Sequence, residues 1–301
     1  MSRPLRLGTR GSWLARVQSE QVAERLRRLG HDVELVTVVT DGDRRAPGTE
    51  PGVGVFVTAL ERALAAGDVD LAVHSAKDVP LETTSGLVIA AFPGPRADPR
   101  DALVTAGGGC TLDRLPAGAT FGTDSPRRAG FVLYLRPDLR HRALHGNVDS
   151  RLRRLGAGEV DAAVLAAAGL DRLGFGGRAD QRLSPEVVPP APGQGALAVQ
   201  CRAGDARVTD ALAALDDPEV RLAVLTERRV LEATGGTCRA PVGALAVVTG
   251  GRLCLLAAAA APDGSDRCVV YREDEPTEPA GLAIAERAGE ELRTKVVTHV
   301  A

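Results

Sequence analysis

Two segments rich in proline and glycine, FPGPRADPRD at 92–101 and VVPPAPGQG at 187–195, interrupt this chain of 301 residues. On either side of them, strand-like apolar runs alternate with segments of helical periodicity, a pattern typical of α/β proteins. The alternation stops at each break and then resumes. We therefore predict two α/β lobes between which the chain crosses twice, an arrangement that commonly forms a cleft able to open and close.

The first lobe is predicted from residues 1–95 and 196–217, and the second from residues 98–193. Alternation of strands and helices within each lobe favours parallel sheets. Residues 41–54 are rich in glycine, proline and charge without periodicity, and we predict a mobile loop of the kind that forms lids. Beyond residue 218 the pattern changes to a helix, three strands joined by glycine turns and a last helix, which predicts a small C-terminal α+β domain at 218–301.

The composition of the chain argues against several classes of function. The formal net charge of −2 argues against bulk attraction to nucleic acid. No apolar run is long enough to span a membrane, and the first residues lack the apolar stretch of a signal peptide, so we expect a cytoplasmic protein without a membrane partner. The five cysteines are scattered and show no metal-ligand or paired spacing, so we expect neither a structural metal nor a disulfide framework.

Cations and hydroxyls follow nearly every predicted strand. Because ligands of open parallel α/β sheets bind outside the carboxyl ends of the strands, these side chains predict a basic cleft suited to an anion. The candidates are Arg10 and Ser12; Ser75, Lys77 and Asp78; Thr123, Ser125, Arg127 and Arg128; His145, Asn147 and Arg151; and Arg172.

The stretch TDSPRR at 123–128 is the clearest of these strand ends. Ser125 is a good N-cap and Pro126 a good first helical residue. Arg127 and Arg128 then lie in the first helical turn, where guanidinium groups and free N–H groups together would bind an anion. The alternative is that both arginines are solvated surface residues.

Cys238 lies in GGTCRAP at 235–241, where the glycines can end a helix and leave the thiol on an irregular turn. Most lone cysteines behave as small hydrophobic side chains, and that is the interpretation for Cys110, Cys201, Cys254 and Cys268. The position of Cys238 instead indicates an exposed thiol that can be modified.

Ten short motifs follow one another along nearly the whole chain. They are GTRGSWLA (8–15), TDGD (40–43), GVFVTALE (54–61), AVHSAKDVP (72–80), DPRDAL (98–103), GTDSPRR (122–128), LHGNVDSRL (144–152), AGLDRLG (168–174), APGQGALAVQCR (191–202) and GGTC (235–238). In this order, they resemble the porphobilinogen deaminase (hydroxymethylbilane synthase) family.

The resemblance implies two lobes like those of periplasmic binding proteins and a third domain that carries a cofactor cysteine. It implies a dipyrromethane cofactor joined to Cys238 through a thioether. The implied enzyme is a transferase of heme biosynthesis: it adds four porphobilinogen units with loss of ammonia and releases the linear tetrapyrrole hydroxymethylbilane. We expect it to act on this small molecule as a monomer.

The resemblance also implies roles for individual residues. Asp78 would stabilise the methylene-pyrrole cation that forms when ammonia leaves, a preorganised electrostatic role. Phe56 would lie near the pyrrole rings, and residues 41–54 would be the lid. The predicted carboxylate-binding set is Arg10, Arg127, Arg128, Arg151 and Arg172, with Ser12, Lys77, Thr123 and Ser125 adding hydrogen bonds and with Ser75, His145, Asn147 and Gln194 completing it.

Four positions depart from the family pattern. His145 stands where the family usually has arginine, and Asp124 where serine is usual, so both reduce the positive charge of the predicted site. Thr237 precedes the loop cysteine where glycine is normal. Trp13 stands where a proline or a small apolar residue is common.

The motifs and the four departures are compatible with three functions. The chain is a hydroxymethylbilane synthase, a divergent paralogue that uses another pyrrole or stops at a shorter oligomer, or a non-catalytic two-lobed binder of a small anion. Asp78 and Cys238 together favour an enzyme, because a simple binder has no joint use for them.

Overall fold

The computed structural model describes residues 3–39, 55–82, 84–236 and 240–295, with side chains from residue 57 onward in the second range. The chain forms two compact units, the first comprising Met1–Ala97 with Ala196–Arg221 and the second Asp98–Gly195 with Leu222–Ala301. The chain thus passes into the second unit after Ala97 and returns after Gly195, as the two breaker-rich segments predict. The bounds of the three predicted domains stay a prediction.

Runs rich in aliphatic and β-branched residues form most of the strands, and only the short strands Arg140–Arg142 and Gln181–Arg182 lack them; all are numbered in chain order. They are β1 (Leu5–Thr9), β2 (Val33–Thr37), β3 (Leu71–Ser75), β4 (Leu87–Ala91), β5 (Asp101–Thr105), β6 (Thr120–Gly122), β7 (Arg140–Arg142), β8 (Ala162–Ala166), β9 (Gln181–Arg182), β10 (Leu197–Arg202), β11 (Val242–Thr249), β12 (Arg252–Ala260) and β13 (Arg267–Asp274).

Capping side chains mark where several helices begin. The Oγ of Ser12 accepts a hydrogen bond from the N–H of Ala15 (3.3 Å), and Oδ1 of Asp205 accepts one from the N–H of Val208 (3.3 Å). The helices are α1 (Trp13–Arg28), α2 (Val55–Ala66), α3 (Pro126–Leu135), α4 (Val148–Gly156), α5 (Ala167–Arg172), α6 (Ala206–Ala213), α7 (Pro218–Ala233) and α8 (Glu278–Lys295).

The sheet of the first unit has the strand order β2-β1-β3-β10-β4. β1 runs parallel to β2 and β3, as predicted, whereas β10 runs antiparallel to β3 and β4. The α/β class is confirmed, and the antiparallel β10 is an addition to the parallel pairing that the alternation of strands and helices favours. The direction of β10 follows from connectivity: Leu197, the first residue of β10, pairs with Ser75, the last of β3, so the returning chain enters at the carboxyl edge and runs back.

The larger sheet of the second unit is mixed in the same way, with the order β7-β6-β8-β5-β9. β6 runs parallel to β7 and β8, but β5 runs antiparallel to β8 and β9. Because of this reversal, Asp101 at the start of β5 pairs with Ala166 at the end of β8. Asp101 therefore lies at the edge where β6, β7 and β8 end.

The second unit also contains an antiparallel sheet of order β11-β12-β13, together with α8 and most of α7. Ala258 and Ala260 of β12 pack in the same core cluster as Phe121 and Phe131. The N–H of Ala244 donates to the carbonyl of Pro190 (2.9 Å), which ties β11 to the second breaker-rich segment.

The five-stranded sheet of each unit packs against its own apolar core. In the first unit, Leu7, Leu26, Val73, Val199 and Leu212 belong to one buried cluster that joins the sheet to α1 and α6. None of the helices in the described part of the chain is long and apolar enough to cross a membrane.

Candidate active site

The turn after β3 presents a carboxylate at the surface. β3 ends at Ser75, and the next three residues form a single 3-10 turn. The N–H of Ala76 is held by the carbonyl of Ala196 at the start of β10 (3.0 Å). Ala76 is buried, Lys77 is half-buried and Asp78 is exposed. The backbone below Asp78 is therefore anchored while its side chain stays accessible.

Arg10 and Ser12 lie at the same edge of the sheet. β1 and β3 are parallel neighbours, with Gly8 paired to Ala72, so the residues after β1 follow alongside the end of β3. Arg10 directly follows Thr9, the last residue of β1, and Asp78 lies three residues beyond Ser75, the last residue of β3. Parallel pairing thus gathers the predicted residues of the first unit whose side chains are described.

Gln18 is a member of this set that the sequence analysis missed. Its side chain is buried on α1, and its Nε2 donates to the Oγ of Ser75 (2.9 Å). A hydroxyl that accepts from an amide keeps its own proton for another acceptor. The signal was present in the sequence: Gln18 precedes Val22 and Leu26 at four-residue spacing, a polar side chain on the buried stripe of a helix.

A chain of buried polar groups supports the end of β3. Nε2 of His74 lies 3.1 Å from Oε1 of Gln200, whose Nε2 donates to Glu61 (3.0 Å). The hydroxyl of Thr84 donates to the other oxygen of Glu61 (2.8 Å). Burial lowers the pKa of His74 to about 4, against the opposing hydrogen bond to Gln200 and the charge of Glu61. His74 is therefore neutral at neutral pH and anchors the strand.

Ser125 caps α3 as predicted. Its Oγ accepts from the N–H of Arg128 (3.4 Å), and Pro126 is the first helical residue. Thr123 is buried, and its hydroxyl accepts from the N–H of Ser125 (3.2 Å). Both predicted hydroxyls therefore help to form the turn that begins the helix.

Arg127 and Arg128 are buried against Asp101. Arg127 donates to Oδ2 of Asp101 (2.8 Å), and Arg128 donates twice to Oδ1 (3.0 and 2.8 Å). Gln194 donates to the same Oδ1 (2.8 Å). Burial alone would raise the pKa of Asp101, but the charges of Arg127 and Arg128 outweigh it and hold the pKa well below its usual range. The alternative that these are solvated surface arginines is wrong; their binding of ligand carboxylates stays a prediction.

Asp124 joins two of the predicted residues. Arg151 donates through Nη2 to Oδ2 of Asp124 (3.1 Å), and Nδ1 of His145 lies 2.9 Å from Oδ1. The three side chains are between 20% and 25% exposed, so they form a partly solvated cluster. Asn147 is exposed at the N-cap of α4 and makes no side-chain capping bond there.

Arg172 does not directly follow a strand, contrary to the prediction. β8 stops at Ala166 and a short helix intervenes, so Arg172 is the last residue of α5. It donates through Nη2 to the carbonyl of Gly195 (2.8 Å). Burial lowers the pKa of Arg172 to about 10, against the charge of Asp171, and the guanidinium remains a cation at neutral pH.

Several predicted features lie outside the described residues. They are Cys238 and Thr237, the segment 41–54 and the side chain of Phe56. Within the described ranges, no group of three or more His, Cys, Asp or Glu side chains is arranged to hold a metal ion.

Two mixed α/β units with cations and hydroxyls at their strand ends define a class of protein suited to anionic small molecules. The family model "Porphobilinogen deaminase, dipyromethane cofactor binding domain" matches residues 5–210, and "Porphobilinogen deaminase, C-terminal domain" matches residues 221–294. The chain belongs to the porphobilinogen deaminase family.

Curated relatives agree with these matches. The porphobilinogen deaminase of Acidothermus cellulolyticus is 52% identical over 268 residues, covering 87% of this chain and 80% of the relative. That of Mycobacterium tuberculosis is 49% identical over 272 residues, covering 87% of each. That of Nocardia farcinica is 48% identical over 294 residues, covering 94% of this chain and 84% of the relative.

Among solved structures, a nutrient binding protein from Burkholderia cenocepacia bound to methionine is similar with a TM-score of 0.45 and 18% identity, covering 72% of this chain and 93% of that one. A periplasmic substrate-binding protein of an ABC transporter from Coxiella burnetii has a TM-score of 0.45 and 21% identity, covering 72% and 94%.

Proposed function

We infer that this chain carries out the reaction of its family. It joins four porphobilinogen molecules to the cofactor, with loss of one ammonia at each step. Hydrolysis by one water then releases the linear tetrapyrrole hydroxymethylbilane and leaves the cofactor attached. This transferase reaction belongs to heme and other tetrapyrrole biosynthesis. The matches over 5–210 and 221–294, with curated relatives at 52% and 49% identity, carry this conclusion.

We assign the central electrostatic role to Asp78. When ammonia leaves porphobilinogen, a methylene-pyrrole cation remains whose charge is shared with the ring nitrogen. A carboxylate that is already in place stabilises this charge as it develops. The single observation that supports Asp78 is its position: an exposed carboxylate on a 3-10 turn whose backbone is anchored to β10.

The donor set fits a dipyrromethane, which carries several carboxylates, because guanidinium, ammonium and hydroxyl groups all bind carboxylate oxygens. Arg10, Lys77 and Arg172 are proposed to bind its carboxylates, and Cys238 is the proposed thioether attachment. The cofactor supplies the pyrrole end to which the first substrate unit is joined. The remaining proposed binding residues are Ser12, Phe56, Ser75, Thr123, Ser125, Arg127, Arg128, His145, Asn147, Arg151 and Gln194.

Replacing Asp78 by asparagine tests its role, since the amide keeps the shape and removes the charge. We expect kcat for ammonia release to fall at least about 100-fold. The matched control is Asp68→Asn, an equal charge change at the exposed amino end of the same strand, for which we expect near wild-type turnover. Equal turnover of the two variants would remove Asp78 from the mechanism.

Intact-protein mass tests the cofactor and its attachment. Protein from cells that make porphobilinogen should be heavier than the bare chain by two linked pyrrole units, and Cys238→Ser should lack this increment. A bare wild-type mass would contradict the assignment. A loaded protein that releases a shorter oligomer, or uses another pyrrole, would instead identify the divergent paralogue.

We further propose that the enzyme acts as a monomer in the cytoplasm, without a nucleic-acid or membrane partner. The formal net charge of −2 supports the absence of a nucleic-acid partner. Light scattering of the eluted holoenzyme should give a mass near 31.3 kDa, and twice that mass would contradict the monomer.

A further inference from the structure

Trp13 stands at the same strand edge as the proposed catalytic carboxylate. It is the first residue of α1 and follows Ser12, whose hydroxyl caps the helix, and Arg10 precedes it by three residues. On the same helix, Gln18 donates to Ser75 at the end of β3. The start of α1 is thereby tied to the turn that carries Asp78.

The indole of Trp13 is 51% exposed. A single exposed apolar side chain is common on protein surfaces and needs no explanation by itself. The location of this one does call for an explanation, because Trp13 directly follows Ser12 and lies three residues after Arg10, and both are proposed to bind a charged ligand. Burying half of an exposed indole under a ligand would recover apolar contact at little cost in conformational entropy.

Other aromatic rings in the described part of the first unit do not offer such a surface. Besides Trp13 that part contains Phe92, which is 3% exposed and has the guanidinium of Arg221 over its ring at 5.2 Å. In the second unit, Phe121 and Phe131 are fully buried, so neither offers a face to a ligand.

We propose that Trp13 is a binding residue that stacks on a pyrrole ring of the substrate or of the growing chain. The inference rests on the proposed function, which supplies a ligand made of flat electron-rich rings bearing carboxylates. Arg10 and Ser12 provide for the carboxylates but not for the ring faces. An indole provides a matching flat face, and its attraction for cations extends to a ring that carries positive charge.

The first test uses the fluorescence of Trp13, which is the single tryptophan of the chain. Addition of porphobilinogen to the holoenzyme should shift or quench its emission, with a dependence on concentration that follows KM. The same titration of free N-acetyl-tryptophanamide at matched emission gives the background from absorption by the ligand. Emission that stays at the background level throughout turnover would overturn the proposal.

The second test separates binding from turnover. Trp13→Ala should raise KM for porphobilinogen about three- to tenfold and leave kcat within about twofold, the range expected for loss of one aromatic pair. Trp13→Phe should restore KM to within about twofold of wild type. The matched control is Tyr271→Ala, which removes a 60% exposed ring from β13 in the second unit and should leave KM unchanged.

An unchanged KM in Trp13→Ala, or equal effects of Trp13→Ala and Tyr271→Ala, would exclude stacking. Failure of the proposed function gives a different result: wild-type holoenzyme would form no tetrapyrrole from porphobilinogen. In that case the fluorescence titration still decides whether porphobilinogen binds beside Trp13.

Discussion

Nδ1 of His145 lies 2.9 Å from Oδ1 of Asp124, and Arg151 donates to the second oxygen of the same carboxylate at 3.1 Å. In the sequence, His145 and Asp124 are separate departures from the family pattern, and each reduces positive charge. In the structure they are neighbours. The carboxylate of Asp124 therefore contacts both basic side chains of its cluster. The two departures from the family pattern change the net charge of the same cluster.

A double-mutant cycle measures this coupling. We expect the loss of unfolding free energy caused by Asp124→Ser to differ by roughly 0.5–1 kcal/mol between the wild-type and His145→Arg backgrounds, a modest value because the cluster is partly solvated. Urea denaturation of the four proteins provides the numbers. Additivity within about 0.3 kcal/mol would mean that the two side chains are independent.

Asp101 compensates two buried cations, so its charge should be indispensable. Asp101→Asn leaves Arg127 and Arg128 without a counter-charge, and we expect a loss of about 3–5 kcal/mol in the free energy of unfolding. The control is Asp138→Asn, which breaks the surface pair with Arg136 (2.6 Å) and should cost less than about 1 kcal/mol. Chemical denaturation that ranks the two variants equally would refute a structural role for the buried cluster.

The buried imidazole of His74 makes stability depend on pH. Burial lowers its pKa to about 4 from an ordinary 6.5, so between these values the unfolded chain binds more protons than the folded one. The contribution is complete above pH 6.5 and is lost as the pH falls toward 4, by about 3 kcal/mol in total. Denaturation between pH 5 and 7.5, followed by the emission of Trp13, should show this slope. His74→Gln should flatten it, and an unchanged slope in that variant would assign the effect elsewhere.

The hydrogen bond from Gln18 to Ser75 should orient the serine proton. Gln18→Met removes the donor, and we expect KM to rise about two- to tenfold, the usual worth of one hydrogen bond. Gln18→Glu reverses the polarity, because a carboxylate accepts the serine proton and turns a lone pair toward the ligand. KM should therefore rise further in Gln18→Glu than in Gln18→Met, with circular dichroism unchanged. A glutamate variant that binds as well as wild type would contradict this orientation.

Local sequence patterns were sufficient to predict the helices whose ends are set by a capping side chain or a glycine. α1 has an N-cap at Ser12 and a glycine at position 30 with φ of 88°, and both are visible as residue types. The cap at Ser125 was predicted for the same reason. In contrast, β4 and α6 were missed. β4 spans only five residues, although the turn signal Ser85-Gly86 precedes it, and α6 spans only eight, too few for a clear helical period.

The direction of a strand and the partner of a charge depend on distant parts of the chain. Asp101 stands in the recognised motif DPRDAL, yet a parallel sheet would have put it at the edge opposite Arg127 and Arg128. The reversal of β5 brings the three side chains together. A sequence pattern predicts that two arginines occupy a helix start, but it does not predict which carboxylate, 26 and 27 residues away, they contact.

The position of β10 in the first sheet has a consequence for the order of events during synthesis. β4, at residues 87–91, joins the sheet through β10, which is complete only at Arg202. The five strands of the second unit's larger sheet lie between residues 101 and 182, so they all emerge from the ribosome earlier. The strands of that larger sheet can thus pair while β3 still has an open edge, and open edges pair with other chains. A nascent chain that stalls between residues 182 and 202 therefore carries an unpaired strand edge through which it can aggregate.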